Sequence, residues 1–236
     1  MRDFMLSNLP MLLWAAAALE LVMFVLFLRK YSSGKKPLYL LSALVTVGLL
    51  YDAFMLAMGS VVQDGAMFAA FSRIRFVAHG ALIPLLFPIC AYALDWKKWL
   101  KTVVWIITGV IIALGIAEGF ATVLELKEIG GVIRYTGGEG TPAWASLVSN
   151  ILTFGTVIPL ILAGINAWII QKNARLFLSG FLMFAFSALG PATGNLDLNF
   201  FITMAGELLM VLFFYLYANK KYSGKSKKIR KSKASC

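Results

Sequence analysis

The sequence has little with which to build a conventional catalytic or metal centre. It holds one histidine, two cysteines and only 11 acidic residues in 236. The cysteines, Cys90 inside an apolar run and Cys236 at the last position, exclude a disulfide scaffold and a cysteine-built metal cage. His79 stands alone, too few nitrogen ligands for a zinc hydrolase, so no metal is expected. There is no GxSxG elbow, no HExxH pair and no phosphate-cradling glycine loop. No basic, small-residue-terminated leader opens the chain, so residues 10–29 read as a retained first membrane span.

What the chain does hold is apolar length and segregated positive charge. It is 60% hydrophobic, with 22 Lys plus Arg. Seventeen of these basic residues fall in four places: Arg29 to Lys36, Lys97 to Lys101, Lys172 to Arg175 and Lys220 to Lys233. Between the clusters lie apolar runs near the ~20 residues that cross a bilayer. Charge confined to span-flanking loops and a tail indicates membrane topology rather than a nucleic-acid partner.

The runs predict an all-α integral membrane protein with seven spans: Pro10–Leu28, Pro37–Met58, Phe76–Leu94, Trp99–Phe120, Trp144–Ile170, Ala174–Gly194 and Leu198–Ala218. Basic loops stay cytoplasmic, so the N-terminus is expected outside and the C-terminus inside, in a multi-pass protein of a bacterial cytoplasmic membrane. Residues 1–219 form the helical domain. Residues 220–236 are expected as a disordered basic tail that, with the inner loops, lies on anionic headgroups. Similar glycine contexts around Gly59 and Gly190, and around Gly80 and Gly206, give a weak hint of a three-plus-one-plus-three repeat. Two outward segments are more than simple turns. Ser60–Ser72 contains the apolar run Met67–Phe71, which suggests an interfacial segment. Glu125–Thr141 is glycine-rich and reads as a mobile loop or a short hairpin over the outer mouth.

Ionisable residues inside spans are costly, by roughly 2.5–3.5 kcal/mol on insertion scales, and tend to face a bundle interior. Here they are Glu20, Asp52, His79, Glu118 and Glu207, with Arg73 and Arg75 at the third span's mouth. Arg73 is expected to snorkel to headgroups, Arg75 either to snorkel or to pair with Asp52, and Glu118 to be an exposed interfacial carboxylate. Asn150, Thr153, Thr156, Thr193 and Asn195 add polarity to the outer halves of spans five and six. On span seven, Asn199, Thr203 and Glu207 share one helical stripe. The inner halves are almost wholly apolar.

This distribution predicts a pocket open to the outside, with Glu20, Asp52, Arg75, His79, Asn150, Asn199, Thr203 and Glu207 as ligand-binding candidates. A small solute or ion bound or transported there is the leading expectation. An intramembrane enzyme acting on a lipid or lipophilic substrate is the alternative, with His79, Asp52 and Glu207 as catalytic candidates and Ser187 a nucleophile only if His79 reaches it. A sensor or accessory subunit is the third. No span carries a mid-membrane lysine, which excludes a retinal Schiff base, and no other cofactor is expected.

Overall fold

The computed structural model describes residues 2–192, 194 and 198–234; Thr193, Asn195 and Cys236 lie outside the described residues. About 82% of the structure is helical. A short helix α1 (Arg2–Ser7) leads into α2 (Leu9–Gly34), followed by α3 (Pro37–Met58), α4 (Ala66–Leu82), α5 (Leu86–Ala93) and α6 (Lys98–Ala121). An antiparallel hairpin, β1 (Leu124–Ile129) and β2 (Val132–Gly137), precedes α7 (Ala143–Gln171), α8 (Arg175–Ala192) and α9 (Asn199–Ala234).

Six of these segments are long and apolar enough to cross a membrane, and the apolar part of α8, Arg175–Leu189, is shorter. On α7, Leu147, Ile151, Phe154, Ile158, Leu162, Ile165 and Ile169 are all exposed, a stripe at helical spacing. On α6, the apolar window is only 11% buried. Such continuous apolar faces fit a lipid environment, where every helical backbone group is already satisfied within its own helix. The chain is therefore an all-α membrane protein by composition and architecture.

Proline sets several boundaries. Pro10 and Pro37 stand in the first turns of α2 and α3, and Pro142 caps α7, where a missing N–H costs nothing. Pro84 lies in a 3-10 turn, Ile83–Leu85, that separates α4 from α5. The third span starts earlier than Phe76, because α4 already begins at Ala66. Met67–Phe71 is thus the first part of a long apolar helix, with Met67 and Phe71 exposed and Phe68 buried, and not a separate segment. The glycine-rich segment after α6 is a hairpin, and its turn uses Gly130 and Gly131 at φ 58° and 73°, the left-handed region that glycine adopts without strain.

The four basic segments meet at one end, where Lys36 and Lys101 lie over the Tyr222 and Tyr92 rings and Lys220 donates to the Lys172 carbonyl, and the hairpin packs at the other, against Arg75 and Gly59. The basic end is knitted by polar contacts. Lys221 donates to the Tyr92 and Ala93 carbonyls at the end of α5 and pairs with Asp95 at 3.0 Å. The Tyr217 hydroxyl lies 2.8 Å from the Ala93 carbonyl and 2.7 Å from Gln171 Oε1. Tyr39 donates to Asn219 Oδ1 at 2.9 Å. The helical backbone of α9 runs to Ala234.

Packing between α4 and α6 depends on glycine. Gly80 meets Gly115 backbone to backbone, and Gly119 lies against Val77; a Cβ on any of the three would overlap main-chain atoms. Small residues spaced by four on one helix allow this approach within a membrane. The main apolar core, including Phe27, Leu86, Ile89, Leu160, Phe214 and Tyr217, fills the basic half of the bundle.

Candidate functional site

Six ionisable side chains from five elements converge in the hairpin half: Glu20 on α2, Asp52 on α3, Arg75 and His79 on α4, Arg134 on β2 and Glu207 on α9. They lie within electrostatic reach of one another as a connected set. Arg75 and His79 are one helical turn apart, so both project from the same face of α4. Arg75 Nε is 3.0 Å from Asp52 Oδ1, and its guanidinium also donates to the Tyr135 carbonyl at 2.8 Å. That contact ties the hairpin to the ion pair. Ile133 N–H donating to the Gly59 carbonyl at 2.9 Å fixes the hairpin's other side.

Arg134 is half-buried, with its guanidinium 3.9 Å from the centre of the Phe200 ring. Burial, then repulsion from Arg75, pushes its pKa down to about 10, with Asp52 opposing. The Tyr135 hydroxyl donates to Asp64 Oδ1 at 2.6 Å, and that hydrogen bond holds the phenol above its ordinary pKa.

Three cavities follow one another from the hairpin toward the bundle centre. A vestibule of about 270 Å³ beside the hairpin is lined by Glu118, Thr122, Ser146, Ser149 and Asn150. A middle chamber of about 230 Å³ shares Phe76, Glu118 and Ser149 with it and adds Asp52, Arg75, His79 and Thr153. A deep chamber of about 120 Å³ shares His79 and Thr153 with the middle one and reaches Thr156, Ser187, Thr203 and Glu207. Leu86, Val157, Met183 and Met210 also line it, and all four belong to the apolar core. Asp52, His79 and Glu207 therefore border adjoining spaces that share lining residues.

Several candidates fall elsewhere than the sequence suggested. Glu20 lines none of the three chambers. It is fully buried beside Glu207, and neither of its carboxylate oxygens has a hydrogen-bond partner among the described residues. Asn199, on the same stripe as Thr203 and Glu207, also misses them, and its Oδ1 is buried without a partner among the described residues. Asn150 reaches only the vestibule, because it lies on the exposed side of α7.

Glu118 is not an exposed interfacial carboxylate. It is 7% exposed and accepts a hydrogen bond from the Thr122 hydroxyl at 3.1 Å, with Ser149 as a second hydroxyl partner. Nor does Arg73 snorkel: it donates to the Gly119 and Phe120 carbonyls at 3.2 Å each and to the Thr122 carbonyl. It thereby caps α6, whose last carbonyls lack intrahelical donors and whose dipole favours a cation there.

Glu118 and Thr122, and likewise Ser149 and Thr153, are spaced by four residues. That periodicity is readable in the sequence, but it does not say that the two pairs face each other. The Arg134 side chain carried no such signal, since only the hairpin's return onto α9 buries it. Comparison with protein-family models finds no matching family, and comparison with curated proteins finds no match.

Proposed function

We propose that this chain is a seven-helix protein of the cell membrane that binds or transports a small solute or ion through a pocket on the hairpin side. The N-terminus and hairpin are external in this proposal, and the basic end is cytoplasmic. Its loops and tail are then held by anionic headgroups, in keeping with the positive-inside bias. A bacterial cytoplasmic membrane is the proposed location, and a three-plus-one-plus-three helix order belongs to the same reading.

The observation that carries the proposal is the file of three chambers that share walls from the hairpin to Glu207. Polar groups at membrane depth are retained where they line a solute path. In the proposed path, Asp52 and Arg75 shape the middle chamber and Glu207 sits in the deepest one. The Tyr217, Gln171 and Lys221 contacts close the opposite end. The 3-10 break at Ile83–Leu85, directly after α4, supplies a bending point between the half that carries His79 and the half that seals the bundle.

A second reading is favoured by one observation: Ser187 and His79 border the same deep chamber, and Asp52 lies within electrostatic reach of His79. That set suits an enzyme cleaving a lipophilic ester, with His79 as general base.

Purified protein in liposomes containing lipid extract, offered a pool of small metabolites, separates the two. Accumulated or protected solute with unchanged lipid supports binding or transport. A changed lipid species that disappears in Ser187→Ala supports the enzyme and overturns the leading proposal.

A further inference from the structure

The wall between the vestibule and the middle chamber holds one acid whose role the rest of the site leaves open. Glu118 borders both spaces, together with Phe76 and Ser149. It is 7% exposed, so its charge is largely withdrawn from water. Its partners are hydroxyls, Thr122 at 3.1 Å and Ser149, and no lysine or arginine pairs with it among the described residues. The other charged groups on the middle chamber, Asp52 and Arg75, already offset each other at 3.0 Å. The lining of the two adjoining spaces therefore holds one acid without a cationic partner among the described residues.

We propose that Glu118 anchors a small organic ammonium at this neck, the protonated amine resting on the carboxylate and its apolar part against Phe76 and Leu152. This rests on the outward-pocket reading above and names the solute class for it. Three features favour an amine over a bare metal ion. No cluster of three or more His, Cys, Asp or Glu side chains suited to a metal occurs among the described residues. Spaces of about 270 and 230 Å³ exceed a single ion and approach the size of small-molecule sites. The carboxylate stands beside hydroxyl oxygens that accept N–H donors, while the Phe76 and Leu152 side chains offer an apolar wall to a carbon skeleton. An anionic solute would meet Glu118 unscreened and is disfavoured.

Isothermal titration of the full chain in nanodiscs tests this with three probes: benzylammonium, the neutral isostere benzyl alcohol, and sodium alone. Benzylammonium is expected to bind at least tenfold tighter than benzyl alcohol, and sodium to give no saturable heat. Glu118→Gln should weaken benzylammonium at least tenfold, whereas Glu139→Gln, an exposed acid near the hairpin, should not. If Glu118→Gln fails to fold, Ser149→Leu narrows the same neck and should weaken the amine at least tenfold. Equal binding of the alcohol, unchanged binding in a folded Glu118→Gln, or no amine binding overturns the proposal. External labelling of Ser149→Cys then separates the two levels. Labelling without amine binding ends the ammonium site alone, whereas absence of labelling ends the outward pocket as well.

Discussion

Asp52 and Arg75 form a 3.0 Å ion pair between α3 and α4, and the same guanidinium holds the hairpin through the Tyr135 carbonyl. One side chain therefore joins the buried cluster to the hairpin. Removing either partner leaves a half-buried charge uncompensated, whereas removing both does not. In a double-mutant cycle with Asp52→Asn and Arg75→Gln, each single change should destabilise, and the pair should show a coupling of about 1–2 kcal/mol, within the usual range for contacting residues. Unfolding followed in micelles measures it, and simple additivity would mean that the pair contributes nothing beyond its separate contacts.

Arg73 acts two residues earlier on the same helix and does something different. Its bonds to the Gly119, Phe120 and Thr122 carbonyls end α6. Arg73→Ala should cost about 1–3 kcal/mol, the size of charge-assisted hydrogen bonds. Arg73→Lys should recover part of that loss, because all three contacts come from the single nitrogen Nη1 and an ammonium also donates from one nitrogen. Thermal unfolding of the two variants checks the order; equal loss from both, or loss from neither, contradicts the cap.

Those two arginines show what the sequence could and could not reveal. The helix limits were largely legible, because apolar run length and proline position are local properties; α3 matches its expected bounds, Pro37–Met58. The Asp52–Arg75 partnership was open to inference because opposite charges at one depth seek each other. Arg73 was misjudged because its acceptors are backbone atoms at the end of another helix, which no side-chain pattern announces. Glu118 was placed in the interface because it lies near a helix end. Its burial depends on how α7 and the hairpin close over it, and that is a tertiary matter. Glu20 and Asn199 sat at reasonable depths, but their rotational phase relative to the chambers could not be read from depth alone.

Glycine positions on α6 offer an internal contrast. Gly115 meets the Gly80 backbone, while Gly109 has open space around its Cβ position. Gly115→Ala should force α4 and α6 apart and destabilise by about 1–3 kcal/mol, typical of overpacking. Gly109→Ala should be neutral or stabilising by up to about 1 kcal/mol, since alanine is the better helix former. Parallel melting curves of the two variants decide this, and a reversed order would contradict the packing of these helices.

Glu207 lies at the end of the chamber file and beside the fully buried Glu20. Glu207→Gln keeps shape and deletes a charge, so stability should be unchanged or higher, because a desolvation cost disappears. Solute binding or transport, and its dependence on pH, should be lost. A stable variant with full activity and the original pH profile would remove Glu207 from the site.

The central claim is that the three chambers open to the exterior on the hairpin side while the basic end is closed and cytoplasmic. Cysteine accessibility at Thr203, which lines the deep chamber beside Glu207, tests it most directly. In a background of Cys90→Ala and Cys236→Ser, Thr203→Cys is exposed to an impermeant thiol reagent in intact cells and, separately, in inverted vesicles. Labelling in intact cells, slower than at Ser149→Cys in the vestibule, and none from the inverted side is the predicted result. Labelling only in inverted vesicles would contradict it.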